Sequence, residues 1–122
     1  MGFNVPLSQD LNILGTKYVL RFVPNEDNYH LLSGANGYMD PTVKEIVIRT
    51  DFSSDEDIQN AEFLIKKNIR HEVIHAFLYE SGLDCDSNKS SSWAINEEMV
   101  DWFSIQFPKI IEVLNSISPK VL

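Results

Sequence analysis

The sequence predicts a single α+β domain over residues 1–122, in which a small antiparallel β-sheet packs against two long helices. Two patterns predict this fold. Short segments rich in β-branched and aromatic residues lie in the first half of the chain. In the second half, apolar residues recur every three or four positions over two long stretches. The chain has 122 residues, of which 43% are apolar, and this is enough for one hydrophobic core.

Two segments of the first half are predicted to be strands. They are Thr16–Val23 (TKYVLRFV) and Lys44–Thr50 (KEIVIRT). The short segment Gly37–Met39 is expected to complete the sheet. Residues 3–15, which contain a proline and a glycine, are expected to be irregular.

The helical periodicity predicts a first helix that ends at Gly82. Ser53 or Ser54 is a suitable N-cap for it. Its apolar positions are Ile58, Ala61, Ile65, Ile69, Val73 and Phe77. A second helix is predicted to start near Asn96, with a kink or break at Pro108. Its apolar positions are Met99, Phe103, Phe107, Ile110, Leu114 and Ile117.

Charge and composition exclude several classes of partner. The formal net charge is −8, and no basic cluster exceeds Lys66-Lys67, so we expect no nucleic-acid partner. The single cysteine, Cys85, cannot form an intrachain disulfide and is not expected to be a nucleophile. The sequence shows neither a signal peptide nor a long apolar run, so we expect a cytoplasmic protein without membrane association. The oligomeric state stays open.

The sequence His71-Glu72-Val73-Ile74-His75 contains the motif H-E-x-x-H within the first predicted helix. Residues four apart on a helix lie on the same side, one turn apart, so both imidazoles can reach one ion. Two imidazoles suit Zn²⁺, and a catalytic zinc site keeps one position open for water. Glu72 lies beside them, where it can accept a proton from the activated water. The motif therefore predicts a zinc site with Glu72 as the general base.

A third ligand must come from elsewhere in the chain. Leu78 and Ser81 stand where the extended motif H-E-x-x-H-x-x-G-x-x-H requires Gly and His, so that class is excluded. The better candidates are Glu97 and Glu98 at the start of the second helix, and either carboxylate can face inward.

The motif H-E-x-x-H followed by E-x-x-x-D on a second helix resembles the gluzincin metallopeptidases. The resemblance implies that Glu97 is the third zinc ligand and that Asp101 hydrogen-bonds and orients His71. Glu97 is preferred over Glu98, the alternative ligand, because only Glu97 lies one helical turn before Asp101.

A larger part of the chain, roughly residues 16–107, resembles the compact bacterial and phage-encoded metallopeptidases of the ImmA/IrrE-like type. In that group a short sheet precedes the H-E-x-x-H helix, and a second helix carries a Glu followed by Asn or Asp and a Phe. Glu97, Asp101 and Phe103 fit this pattern. The resemblance implies a minimal zincin-like core and a peptidase of narrow specificity, with a peptide or protein as substrate.

Three further questions stay open. The group that stabilises the oxyanion is one of Tyr79, His30, Tyr38 and Arg70. A substrate peptide can add to Lys44–Thr50 as an extra strand, or that strand can serve packing alone. The aromatic residues around the second helix are expected to be core rather than a specificity pocket: Trp93, Trp102, Phe103 and Phe107.

Two alternatives to a peptidase remain. The first is a zinc-binding bacterial or phage protein that uses the site for regulation or interaction without catalysis. The second is a hydrolase of a non-peptide amide, since the chemistry at zinc is shared. The presence of Glu72 favours an enzyme, because a structural site does not need a base there.

Overall fold

A computed structural model of the chain describes residues 7–24, 34–53, 59–83 and 97–122, without the side chains at 97, 98, 100, 101 and 104. The described part is α+β, as predicted. Its elements are β1 (Ser8–Ile13), β2 (Thr16–Val23), β3 (Gly37–Asp40), β4 (Glu45–Arg49), α1 (Ala61–Glu80) and α2 (Glu97–Asn115). Cys85 and Trp93 lie outside the described residues.

The four strands form one sheet in the order β1-β2-β4-β3. The pairs β1–β2 and β3–β4 are antiparallel hairpins, whereas β2 and β4 run parallel. The expectation of a purely antiparallel sheet was therefore wrong. The first four residues of β4 are all buried, on both faces of the sheet, and such a continuous buried run is typical of a central strand.

The prediction that residues 3–15 are irregular was also wrong over residues 8–13, which form β1. Leu11 and Ile13 alternate with more exposed residues and enter the core. Leu14 and Gly15 make the tight turn into β2, both with positive φ. The alternation covers too few residues to stand out in the sequence.

Helix α1 begins later than predicted. Its N-cap is Asn60, whose side-chain oxygen accepts a hydrogen bond from the backbone N–H of Phe63 at 3.0 Å. Of the two serines predicted as caps, Ser53 lies in a turn in which its N–H donates to Asp51, and Ser54 lies outside the described residues. The predicted end is confirmed, since Gly82 follows the helix with a φ of 86°.

Helix α2 continues through Pro108 as one helix, without the break that proline suggested. Ile110, Val113 and Leu114 face the core, but Phe107 is 56% exposed, so its assignment to the core was wrong. Trp102 is partly buried against the core, and its indole N–H donates to the Ser81 hydroxyl at the end of α1, at 3.2 Å.

One hydrophobic core lies between the helices and one face of the sheet. Alternate residues of the central strands face this core, among them Leu20, Phe22, Ile46 and Ile48. Four of the apolar positions predicted for α1 are fully or almost fully buried there: Ile65, Ile69, Val73 and Phe77. Within the described ranges, no helix combines the length and the hydropathy needed to cross a membrane.

Candidate metal centre

The two histidines of the motif lie on consecutive turns of α1 and converge. The Nε2 atoms of His71 and His75 are 3.1 Å apart, and the ring centroids are separated by 4.7 Å. His71 is exposed and His75 is partly exposed, so the pair opens toward solvent. Two nitrogen ligands of a tetrahedral Zn²⁺ ion, each about 2.0–2.1 Å from the metal, are separated by about 3.3 Å. The observed separation is close to that value, and the two residues fit as a pair of ligands.

Glu72 points in a different direction from its neighbour His71, because successive residues on a helix are rotated by about 100°. Only 9% of its surface is exposed, although it carries a carboxylate. Burial raises the pKa of Glu72, and the nearby His71 and His75 partly offset that rise. A carboxylate whose proton affinity is raised beside two imidazoles is suited to accept a proton.

The neighbour of Glu72 in the sheet is Gly37, the first residue of β3. A Cβ atom at Gly37 would lie 3.6 Å from Cγ of Glu72, and only 3.1 Å from both the Val47 carbonyl oxygen and Cδ1 of Ile48. The two short distances are both to the neighbouring strand β4, so the glycine favours close packing of β3 on β4, while the distance to Glu72 is that of an ordinary van der Waals contact. No sequence pattern indicated a role for Gly37 at the site, because it was expected only as the start of a short strand.

The predicted third ligands belong to the first two turns of α2. Glu97, Glu98 and Asp101 are helical in the backbone, but their side chains lie outside the description. Among the described side chains, no group of three or more His, Cys, Asp or Glu is arranged to hold a metal. The hydrogen bond from Trp102 to Ser81 brings the N-terminal half of α2 to the end of α1 that follows His75. The choice between Glu97 and Glu98 stays a prediction.

The candidate oxyanion groups that the structure describes have other partners. The guanidinium of Arg70 donates to the carbonyl of Val121 at 2.6 Å, which ties the C-terminal segment to α1. The ring of Tyr79 lies under the ammonium of Lys44, 4.9 Å from its centroid. Tyr38 packs with Val23 and Val47 on the face of the sheet opposite the helices. His30 lies outside the described residues.

Strand β4, the predicted site for an added substrate strand, is central in the sheet. Both of its edges are paired, one with β2 and one with β3, so of the two alternatives left open for this strand the structure supports packing alone. Among the described strands, β3 lies at the edge on this side of the sheet, and it begins beside Glu72.

A polar cluster at the C-terminal end of α1 fixes the helix to the sheet. One carboxylate oxygen of Glu80 accepts from the Thr16 hydroxyl at 3.0 Å, and the other accepts from the Tyr18 hydroxyl at 2.7 Å and from Lys44 at 2.9 Å. Burial opposes ionisation of Glu80, but these three hydrogen bonds outweigh it and lower its pKa. Because Lys44 lies in the turn between β3 and β4, the cluster sets where that hairpin meets α1.

Comparison of the chain with protein-family models, with curated proteins and with solved structures gives no match.

Proposed function

We propose that this protein is a zinc-dependent hydrolase, with a peptide or protein as its substrate, of the compact gluzincin or ImmA/IrrE-like type that the sequence resembles. The observation that carries the proposal is the convergence of His71 and His75, whose Nε2 atoms are 3.1 Å apart, next to the buried carboxylate of Glu72. This combination supplies two metal ligands and a base from a single helix.

A Zn²⁺ ion held by the two histidines and by Glu97 would activate water and polarise a substrate carbonyl as a Lewis acid. Glu72 would transfer the proton of the attacking water. Glu72 would accept it from the attacking water and deliver it to the leaving amine. Its buried position supports this role, because burial raises the pKa of the carboxyl toward the range of a working acid–base group.

The position of β3 supports an extended peptide as the substrate. Strand β3 is an edge strand of the described sheet and runs from Gly37, beside Glu72, to Asp40, next to the turn that holds Lys44. A peptide added along this edge would pass the carboxylate of Glu72 with its backbone extended. Lys44–Thr50 cannot take this role, because β4 is paired on both edges.

The test is cleavage of a mixed peptide library, read by mass spectrometry, with zinc-loaded wild type and with Glu72→Gln. We expect zinc-dependent cleavage in the wild type and none in Glu72→Gln, which keeps both histidines and therefore its zinc. Zinc binding without cleavage of any peptide or protein would contradict the peptidase proposal and favour a non-catalytic regulatory module. Failure of both proteins to bind zinc would contradict the proposal altogether.

The third ligand is tested separately by measuring zinc affinity in Glu97→Ala and Glu98→Ala. Each variant removes one carboxylate from the same turn of α2, so each serves as the control of the other. The proposal predicts that Glu97→Ala loses most of the affinity and that Glu98→Ala keeps it. The reverse result would assign the ligand to Glu98.

A further inference from the structure

A cleft of about 520 Å³ lies away from the candidate metal centre, between the β1–β2 turn and the C-terminal half of α2. Phe77 of α1 lines it, together with Val113 of α2 and Leu14 of the turn. Phe77 is two residues beyond His75, which places it about 200° around the helix, on the other side. The cleft is therefore separate from the histidine pair, and its volume is in the range of small-molecule sites.

Two opposite charges lie at this cleft. Lys109 and Glu112, three residues apart on α2, both line it and are both exposed. Within the described part of the chain, neither side chain makes an ion pair or a hydrogen bond. An ammonium and a carboxylate beside an apolar surface complement a ligand that carries both charges and a nonpolar group.

The turn that closes the cleft has an unusual residue. Leu14 has a φ of 51°, a left-handed conformation that Asn, Asp or Gly adopts with less strain in such a turn. Leu14 is also 37% exposed and does not belong to the buried core, so core packing does not account for it. What it does provide is an apolar wall for the cleft, next to Asn12 and Gly15.

From the cavity, the two charges and the strained apolar turn, we propose that this cleft binds a free α-amino acid with an aliphatic or aromatic side chain. Lys109 would take the carboxylate and Glu112 the ammonium group. The side chain would lie against Leu14, over the floor that the buried Phe77 and Val113 form beneath the cleft. This proposal does not depend on the metal centre, and it can be tested on metal-free protein.

The experiment is an NMR titration of the ¹⁵N-labelled full chain with L-leucine. We expect saturable shifts confined to the β1–β2 turn and the C-terminal half of α2, with a Kd of about 1 mM or tighter, as is usual for so small a ligand. Glycine, which lacks the side chain, leucinamide, which lacks the carboxylate, and N-acetylleucine, which lacks the ammonium, should each bind about fivefold to tenfold more weakly.

Variants of the cleft complete the test. Lys109→Gln and Glu112→Gln should each weaken leucine binding about fivefold to tenfold, whereas Lys67→Gln, on the exposed side of α1, should leave it unchanged. Leu14→Asn relieves the turn and should raise stability while it weakens binding, a combination that a folding defect cannot produce. Absence of saturable shifts up to about 20 mM leucine, well above the expected Kd, would overturn the proposal. Equal binding of glycine, or unchanged binding in both charge variants, would also overturn it.

Discussion

Replacement of Glu80 by glutamine tests how the helix that carries the histidines is fixed to the sheet. The carboxylate of Glu80 accepts three hydrogen bonds, from Thr16, Tyr18 and Lys44, which come from two separate parts of the sheet. Glutamine has nearly the same shape but no charge. Whichever carboxylate oxygen its NH₂ group replaces, that group is itself a donor and cannot accept the hydrogen bond that the oxygen accepted.

The structure gives the size of the effect. A hydrogen bond to a charged group contributes about 1.5–3 kcal/mol, against about 0.5–1.5 kcal/mol for a neutral one, so each of the three bonds loses about 1 kcal/mol. The side chain of Lys44 is 37% exposed and water screens part of its contribution, whereas the Tyr18 hydroxyl is buried. We therefore expect Glu80→Gln to lower the free energy of unfolding by about 2 kcal/mol.

The assay is denaturant or thermal unfolding at pH 7, where about 2 kcal/mol corresponds to a decrease in Tm of about 6–10 °C for a domain of this size. The matched control is Glu62→Gln, which removes the exposed ion pair between Glu62 and Lys66, one turn apart on α1, and should cost about 0.5 kcal/mol or less. Equal losses in the two variants would refute the reasoning, because the Glu80 cluster would then be worth no more than a surface pair.

Three other predictions concern Glu80, Gly37 and Glu72. The difference in stability between wild type and Glu80→Gln should be at full size above about pH 5 and should shrink as the pH falls through the lowered pKa of Glu80, in unfolding measured at several pH values. A difference that persists unchanged to about pH 3 would contradict it. Gly37→Ala should lower the free energy of unfolding by about 1–2 kcal/mol, because the new Cβ would lie 3.1 Å from the Val47 carbonyl oxygen. If denaturant unfolding of the variant matched that of the wild type, this contact would not be tight. Glu72→Gln should stabilise the metal-free protein at pH 7, because the raised pKa of Glu72 means that folding disfavours its charged form. The gain should vanish below about pH 4, where the carboxyl is protonated in both the folded and the unfolded state. A loss of stability at pH 7 would contradict the account.

Local patterns were enough to predict the helix that carries the candidate site. The spacing of Ile65, Ile69, Val73 and Phe77 predicted the buried face of α1, and the structure confirms it. The convergence of His71 and His75 follows from the same periodicity, since residues four apart lie one turn apart on every α-helix.

The arrangement of the sheet could not be predicted in the same way. Whether β4 pairs in parallel with β2 depends on contacts between segments far apart in the chain, and the strand segments themselves do not state in which direction they pair. The start of α1 was misplaced because serine and asparagine are both good N-caps, and the sequence offers both, at Ser53 and at Asn60.

The surroundings of Glu72 and Glu80 were missed for a related reason. Glu72 meets Gly37, and Glu80 meets Thr16, 64 residues away in the sequence. No local pattern marks such pairs, because each residue alone has an ordinary explanation: a turn glycine, a strand threonine, a glutamate at the end of a helix. They become visible only when the sheet order is known.

The most direct test of the central claim is the zinc content and zinc affinity of the purified chain, compared among wild type, His71→Ala, His75→Ala and His30→Ala. The chain has three histidines, so His30→Ala is a control that removes an imidazole outside the motif. We predict about one zinc per chain in wild type and in His30→Ala, with at least about a 100-fold loss of affinity in the other two variants. A wild-type chain that takes up no zinc after reconstitution, or equal retention in all four proteins, would contradict the account.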